Sequence, residues 1–125
     1  MFEVGYPHWQ DTPYPVETFV VTHEARPERI EKSARFHFIG DVATAISRAK
    51  AAAGDREALI MGGAEIANQT LALDLVEVIQ LQLVPVLLGG GALLFDAAPH
   101  ALVELECTMR VGSPAVTHLR NRILR

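Results

Sequence analysis

The sequence of 125 residues contains a single cysteine, Cys107, and this scarcity excludes two kinds of stabilisation. One thiol cannot form an intrachain disulfide, and a zinc site built from several cysteines is excluded as well. We expect Cys107 to be a small side chain packed in an apolar neighbourhood. A chain without disulfides suits a reducing compartment, so we predict a cytoplasmic protein.

The chain also lacks an excess of positive charge and any long apolar run. Its formal net charge is −4 and its basic residues are scattered, which argues against nucleic acid as the main partner. The apolar stretches at 83–88 and 92–95 are too short to span a bilayer, and no signal-peptide pattern is present. With 50% hydrophobic and 21% charged residues, the composition predicts one soluble domain over residues 1–125.

The segments that are present alternate between strand-like and helix-like patterns. Three of the seven prolines lie in residues 1–15, which argues against a helix or central strand there. A first helix is predicted from the N-cap Asp41 to Gly54, and a second at 64–73 with its apolar positions facing the sheet. Strands are predicted at 16–22, 35–39, 58–61, 76–88, 102–110 and 115–124, and a polar loop or short turn at 23–33. This order predicts an α/β fold with a mixed β-sheet.

The main chemical signal is a strand that passes through Gly62 and Gly63 into a helix. A helix N-terminus presents unpaired N–H groups and about half a positive charge, and glycines let a ligand approach the backbone closely. This combination suits a phosphate, and the motif is neither a G-x-G-x-x-G fingerprint nor a Walker loop. A tight structural turn explains the same residues, and Glu65 in the first helical turn fits that alternative. A second cluster at 89–91 suits either the wall of a cofactor cleft or a flexible surface turn.

Two runs of residues together resemble a known family. The run ALIMGGAEIANQTL at 58–71, followed by LVEVIQLQLVPVLLGGGALLFD at 75–96, is similar to the C-terminal reductase domain of bacterial riboflavin-biosynthesis deaminase–reductases. The resemblance covers the whole chain and implies a dihydrofolate-reductase-like mixed β-sheet flanked by helices, with an NADPH cleft at the strand ends. It implies that the cofactor pyrophosphate contacts the turn and first helical amides at Gly62, Gly63, Ala64, Glu65 and Ile66.

The resemblance also implies a site for the adenosine end of NADPH. The end of the first strand, at Thr22 and His23, would lie beside the adenosine, and Arg26 would neutralise a ribose 2′-phosphate and so select NADPH over NADH. A solvated loop charge is the alternative interpretation of Arg26.

The family pattern begins earlier than this sequence does. Its members start with a strand, a helix and another strand, together with a Gly-Arg-x-Thr-like cofactor turn, and Met1 matches a position inside the helix after that turn. We therefore expect an N-terminally incomplete domain that lacks the N-terminal strands of the family, through a misassigned start, as a fragment, or as a real short form that another chain completes. Because such a domain would expose unpaired strand edges, we also expect a homodimer, or else a partly unstable monomer.

The remaining polar residues show no further catalytic pattern. The five histidines have no metal-ligand spacing, and the serines lie in no nucleophile-elbow context, so we predict no metal site and no Ser-His-Asp triad. No residue is identified as a proton donor. The first hypothesis is an NADPH-dependent reductase-like domain acting on a small heterocyclic, riboflavin-precursor or pterin-like substrate. The second is a non-catalytic, truncated domain of the same fold that acts as an assembly module.

Overall fold

A computed structural model describes residues 16–31, 34–95 and 102–125. The proline-rich start at 1–15, and with it the predicted incomplete N-terminus, lies outside the described residues. The described elements divide between two compact units, residues 1–60 and 61–125. Each unit combines one helix with one three-stranded sheet, which confirms the predicted α/β class. The elements are β1 (Glu17–Val21), β2 (Arg29–Glu31), β3 (Ala34–Ile39), α1 (Val42–Ala53), α2 (Ala64–Ala72), β4 (Val78–Leu83), β5 (Leu105–Gly112) and β6 (Thr117–Ile123).

The sheet of the first unit has the order β1-β3-β2. β1 runs parallel to β3, with Glu17 opposite Arg35, and β2 pairs antiparallel with the start of β3. The sequence predicted a polar loop or turn where β2 lies, because a three-residue strand with Arg29 and Glu31 at its ends carries no apolar alternation. The short strand therefore depends on β3 for its pairing.

The core of the first unit lies between α1 and this sheet. α1 packs against β1 and β3, and the buried hydrophobic side chains of the described residues are Phe36, Ile39, Val42 and Ala45. The bounds predicted for α1 are confirmed, because the side chain of Asp41 caps its start and Gly54, at φ 60°, caps its end.

A polar cluster is built into the same core around His37, which is buried. Its Nε2 lies 3.4 Å from a carboxylate oxygen of Glu17, and its Nδ1 lies 3.2 Å from one of Glu28. The Arg48 guanidinium lies 3.4 Å from Nδ1, and the Phe19 ring stacks on the imidazole at 4.8 Å between centroids. The cluster joins β1, β3 and α1 through one side chain.

The sheet of the second unit is antiparallel throughout, with the order β4-β6-β5. β5 and β6 form the predicted terminal hairpin, with a register shift between Cys107 and Met109. Every residue of β5 is exposed, so the expectation of a packed Cys107 is wrong. The reason is that, among the described residues, β5 contacts only its neighbour β6 and no helix packs on either of its faces.

The start of α2 agrees with the sequence, but the face that it buries does not. The predicted helix at 64–73 is confirmed within one residue, and its buried side chains are Asn68 and Thr70 rather than the predicted apolar ones. Leu73 is exposed, and no described strand packs against α2. The amphipathic pattern of α2 therefore predicted the helix but not its neighbours.

Two predicted strand segments differ in the structure. Residues 58–61 form no strand, and the side chains of Leu59 and Met61 are 75% and 73% exposed. An extended segment becomes a strand only where another strand supplies a hydrogen-bonded ladder, and the described strands pair elsewhere. β4 ends at Leu83 because Pro85 has no N–H and the Val86 N–H turns back to the Val84 carbonyl at 2.8 Å.

Candidate functional site

The turn at Gly62 and Gly63 has a backbone that requires glycine. The φ angles are 99° and 86°, in the region that other residues rarely adopt, and both residues are exposed. The first helical hydrogen bond of α2 runs from the Ala67 N–H to the Gly63 carbonyl at 3.0 Å. The two glycines thus turn the chain sharply into the helix and leave its start open to a ligand.

The start of α2 has no side-chain cap. Gly63 is its N-cap residue and has no side chain to accept a hydrogen bond. The N–H groups of Ala64, Glu65 and Ile66 consequently have no acceptor within the helix. Oriented N–H groups at the positive end of a helix dipole can bind an anion such as a diphosphate.

Glu65 is the one predicted site residue whose charge opposes an anion at this helix start. Its carboxylate favours the helix dipole from the first turn and accepts a hydrogen bond from Gln69 Nε2 at 3.2 Å. The bond turns the carboxylate toward the next turn of the helix. The group that Glu65 can offer to an anion at this helix start is therefore its backbone N–H.

Asn68 ties this helix to the segment after the second glycine cluster, and sequence analysis missed it. Its Nδ2 donates to the Ala64 carbonyl at 2.8 Å and to the Leu94 carbonyl at 3.0 Å. Asn68 is buried, and its Oδ1 has no hydrogen-bond partner among the described residues. Asn68 lies away from the apolar positions that the sequence pattern placed against the sheet, so the pattern gave no signal for it.

The predicted adenosine-end residues lie where β1 ends, in the first unit. The Thr22 N–H donates to the Ile39 carbonyl at 2.9 Å, which extends the pairing of β1 with β3 by one residue. The Thr22 hydroxyl accepts from the Glu24 N–H at 3.2 Å, and His23 is exposed between them. The turn after β1 is thus fixed by its own side chain.

Arg26 pairs with an acid of the same loop. Its Nε and Nη2 both donate to one carboxylate oxygen of Glu24, at 3.1 Å for Nε, and its guanidinium lies 5.9 Å from the centroid of the Phe38 ring. Hydrogen bonding from Arg26 holds the pKa of the Glu24 carboxyl below its usual range. Sequence analysis missed Glu24, because an acid two residues before an arginine does not by itself show that the two side chains pair.

The two groups of predicted site residues belong to different units. Gly62 to Ile66 lie in the second unit, and Thr22, His23 and Arg26 lie in the first. Within its own unit, each group lies on one short segment of the chain.

Other candidate sites are less developed. A shallow cavity of about 260 Å³ lies on the sheet of the second unit, lined by Gln80, Gln82, Met109, Val111, His118 and Leu119. In residues 16–31, 34–95 and 102–125, no group of three His, Cys, Asp or Glu side chains is arranged to hold a metal ion. No helix in these same ranges is long and apolar enough to cross a membrane.

Comparison with known proteins identifies what the chain is similar to. The family model of the RibD C-terminal domain matches residues 11–116. A solved structure of a protein from Shewanella sp. PV-4, assigned to riboflavin biosynthesis, aligns with a TM-score of 0.70 at 20% sequence identity. The alignment covers 99% of this chain and 70% of the other, and it supports the dihydrofolate-reductase-like fold. Among curated proteins, none matches significantly.

Proposed function

The chain belongs to the family of RibD C-terminal domains, and on that premise we propose that it is an NADPH-dependent reductase-like domain that transfers hydride to a small heterocyclic substrate. The family consists of reductase-like domains of riboflavin biosynthesis, and membership places the chain among the oxidoreductases. The substrate that we propose is a riboflavin precursor or a pterin-like compound, and the cellular location that we propose is the cytoplasm.

The observation that carries this proposal is the uncapped start of α2. Gly62 and Gly63 hold positive φ angles, and the helix has no side-chain cap. No side chain of the helix competes with a ligand for the N–H groups at this start. The arrangement therefore supports a diphosphate-binding role.

In this proposal the protein binds and orients, and the cofactor supplies the hydride when it is bound. The N–H groups of Ala64, Glu65 and Ile66 would donate hydrogen bonds to the diphosphate oxygens. The adenosine end would bind where β1 ends, at Thr22 and His23, and at the guanidinium of Arg26. Hydride transfer from the cofactor needs no nucleophilic side chain. None of these residues is assigned as the proton donor.

A titration of the full chain with NADPH and NADH, followed by cofactor fluorescence, tests the proposal. The informative variant is Ala64→Asp, because an acid in the first turn favours the helix but places a negative charge at the proposed diphosphate. We expect the variant to stay folded and to bind NADPH about tenfold more weakly. The control Ala64→Ser adds a side chain without charge and should bind within about twofold of the parent. Equal binding by all three proteins would contradict the placement, and no binding by any would contradict the proposed function.

The alternative function is a non-catalytic assembly module of the same fold. It is favoured by the large hydrophobic side chains that are exposed in the second unit, since large apolar patches mark interaction surfaces. A second copy of the chain is the partner that we propose, in either function. Equilibrium sedimentation over a range of concentrations should show a monomer–dimer equilibrium, and a monomer at every concentration would contradict the homodimer.

A further inference from the structure

The turn after β1, residues 22–28, carries both an acid and a base at its centre. Glu24 and Arg26 are joined through two hydrogen bonds to one carboxylate oxygen. The backbone of this turn is fixed before Glu24, because the Glu24 N–H donates to the Thr22 hydroxyl and the Thr22 N–H donates to the Ile39 carbonyl of β3. The Phe38 ring lies beneath the guanidinium. Glu24 and Arg26 therefore form an ordered pair rather than two independent surface charges.

Acids and arginines have opposite effects on the choice between the two nicotinamide cofactors. A carboxylate accepts a hydrogen bond from the ribose 2′-hydroxyl of NADH, and an arginine neutralises the 2′-phosphate of NADPH. A 2′-phosphate that approached Arg26 would have to replace the Glu24 carboxylate as its partner. The 2′-phosphate would also be repelled by that carboxylate, because a displaced Glu24 side chain would remain next to Arg26.

We propose that Glu24 is a specificity-determining residue. By competing with the 2′-phosphate for Arg26, it lowers the preference for NADPH over NADH. The inference rests on the proposed function, because it places the adenosine ribose at the end of β1. Glu24 acts in two ways: it occupies the donors of Arg26, and it offers an acceptor to a ribose 2′-hydroxyl. Its carboxylate is ionised at neutral pH, because hydrogen bonding from Arg26 holds the pKa of Glu24 below its usual range.

The test compares the dissociation constants of NADPH and NADH for Glu24→Gln and for a matched control, Glu28→Gln. Glu28 lies in the same turn and contributes the same charge, but its carboxylate lies against Arg35 and His37. We expect Glu24→Gln to raise the preference for NADPH over NADH by about tenfold, since a charge-assisted pair is removed. Glu28→Gln should change the preference by less than about twofold, because an exposed charge acts weakly through solvent.

A third variant separates the direct competition from a general effect of charge. In an Arg26→Gln background, Glu24→Gln should raise the preference for NADPH by much less than it does in the parent, because the competition for Arg26 is no longer there to be removed. An unchanged preference in the single variant, or an equal change in both backgrounds, would overturn the inference while cofactor binding itself persisted. Loss of binding to both cofactors in every protein, parent included, would instead contradict the proposed function and the inference with it.

Discussion

The two units of the chain begin their helices in opposite ways. At the start of α1 the Asp41 carboxylate accepts a hydrogen bond from the Thr44 N–H at 2.7 Å, whereas α2 starts at Gly63 with no side-chain cap. At the first helix start the Asp41 carboxylate occupies the Thr44 N–H and adds a negative charge, which disfavours an anion there. The second is stable only to the extent that solvent or a ligand satisfies it. The difference indicates which helix start is structural and which is suited to binding.

The two units also differ in the kind of side chain that they bury. All buried hydrophobic side chains among the described residues lie in the first unit, between Phe36 and Ala45. The buried side chains described in the second unit are polar: Asn68, Thr70 and Asn121. Thr70, which is fully buried, donates to the Ile66 and Ala67 carbonyls of its own helix. The first unit is therefore stabilised by apolar packing, whereas Asn68 and Thr70 of the second unit are held by hydrogen bonds.

The largest effect is expected from truncating the core of the first unit. Phe36 is 5% exposed, and Phe36→Ala should lower the free energy of unfolding by about 3–5 kcal/mol in urea titrations followed by circular dichroism. The matched change in the second unit is Leu87→Ala, at a fully exposed side chain, which should alter the unfolding of the monomer by less than about 0.5 kcal/mol. Equal losses in the two variants would break the comparison of the cores.

A smaller effect is expected from Asn68, the buried amide of the second unit. Asn68→Ala removes both hydrogen bonds to the Ala64 and Leu94 carbonyls and should lower the free energy of unfolding by about 1–3 kcal/mol. Amide hydrogen exchange should also become faster around Leu94. The neighbouring exposed residue provides the control, since Gln69→Ala should leave exchange at Leu94 unchanged. Unchanged exchange in both variants would show that the second unit does not depend on this amide.

Removal of the α1 cap should lower the thermal stability modestly, by an amount that depends on pH. Hydrogen bonding from the Thr44 N–H lowers the pKa of Asp41 in the folded state, so its contribution is present above the unfolded pKa and is lost as the pH falls through the lowered value. Asp41→Ala should lower the thermal midpoint by about 4 °C at neutral pH, and by less as the pH falls below about 4. Asp41→Asn retains a capping oxygen without the titration. A deficit of Asp41→Ala that stayed constant with pH would contradict the assigned cap.

The smallest effect concerns Glu65 at the open start of α2. Glu65→Gln removes the negative charge nearest the proposed diphosphate and should strengthen NADPH binding by about twofold in fluorescence titrations. The exposed Glu57, which precedes the turn, provides a charge-matched control in Glu57→Gln. Unchanged binding by Glu65→Gln would indicate that the carboxylate does not act on the ligand, and weaker binding would contradict the expected repulsion.

The sequence predicted the helices because their signals are local. Asp41 and Gly54 mark the two ends of α1, and the glycine pair marks the start of α2. Residues 58–61 failed as a strand because strand formation depends on a distant partner that no local pattern shows. The pairing of Glu24 with Arg26 was also missed, because sequence alone does not show which of several nearby acids an arginine contacts. The family resemblance identified a class of function, and the geometry added which helix start is open.

The central claim is that the open start of α2 binds the cofactor phosphates. The most direct test is a two-dimensional amide NMR titration of the full chain with NADPH, which reports each backbone N–H separately. We predict saturable shifts of the Ala64, Glu65 and Ile66 amides, with the Ala43 and Thr44 amides at the capped start of α1 unchanged. Shifts confined to the start of α1 or to β5, or no shift at millimolar cofactor, would contradict the claim.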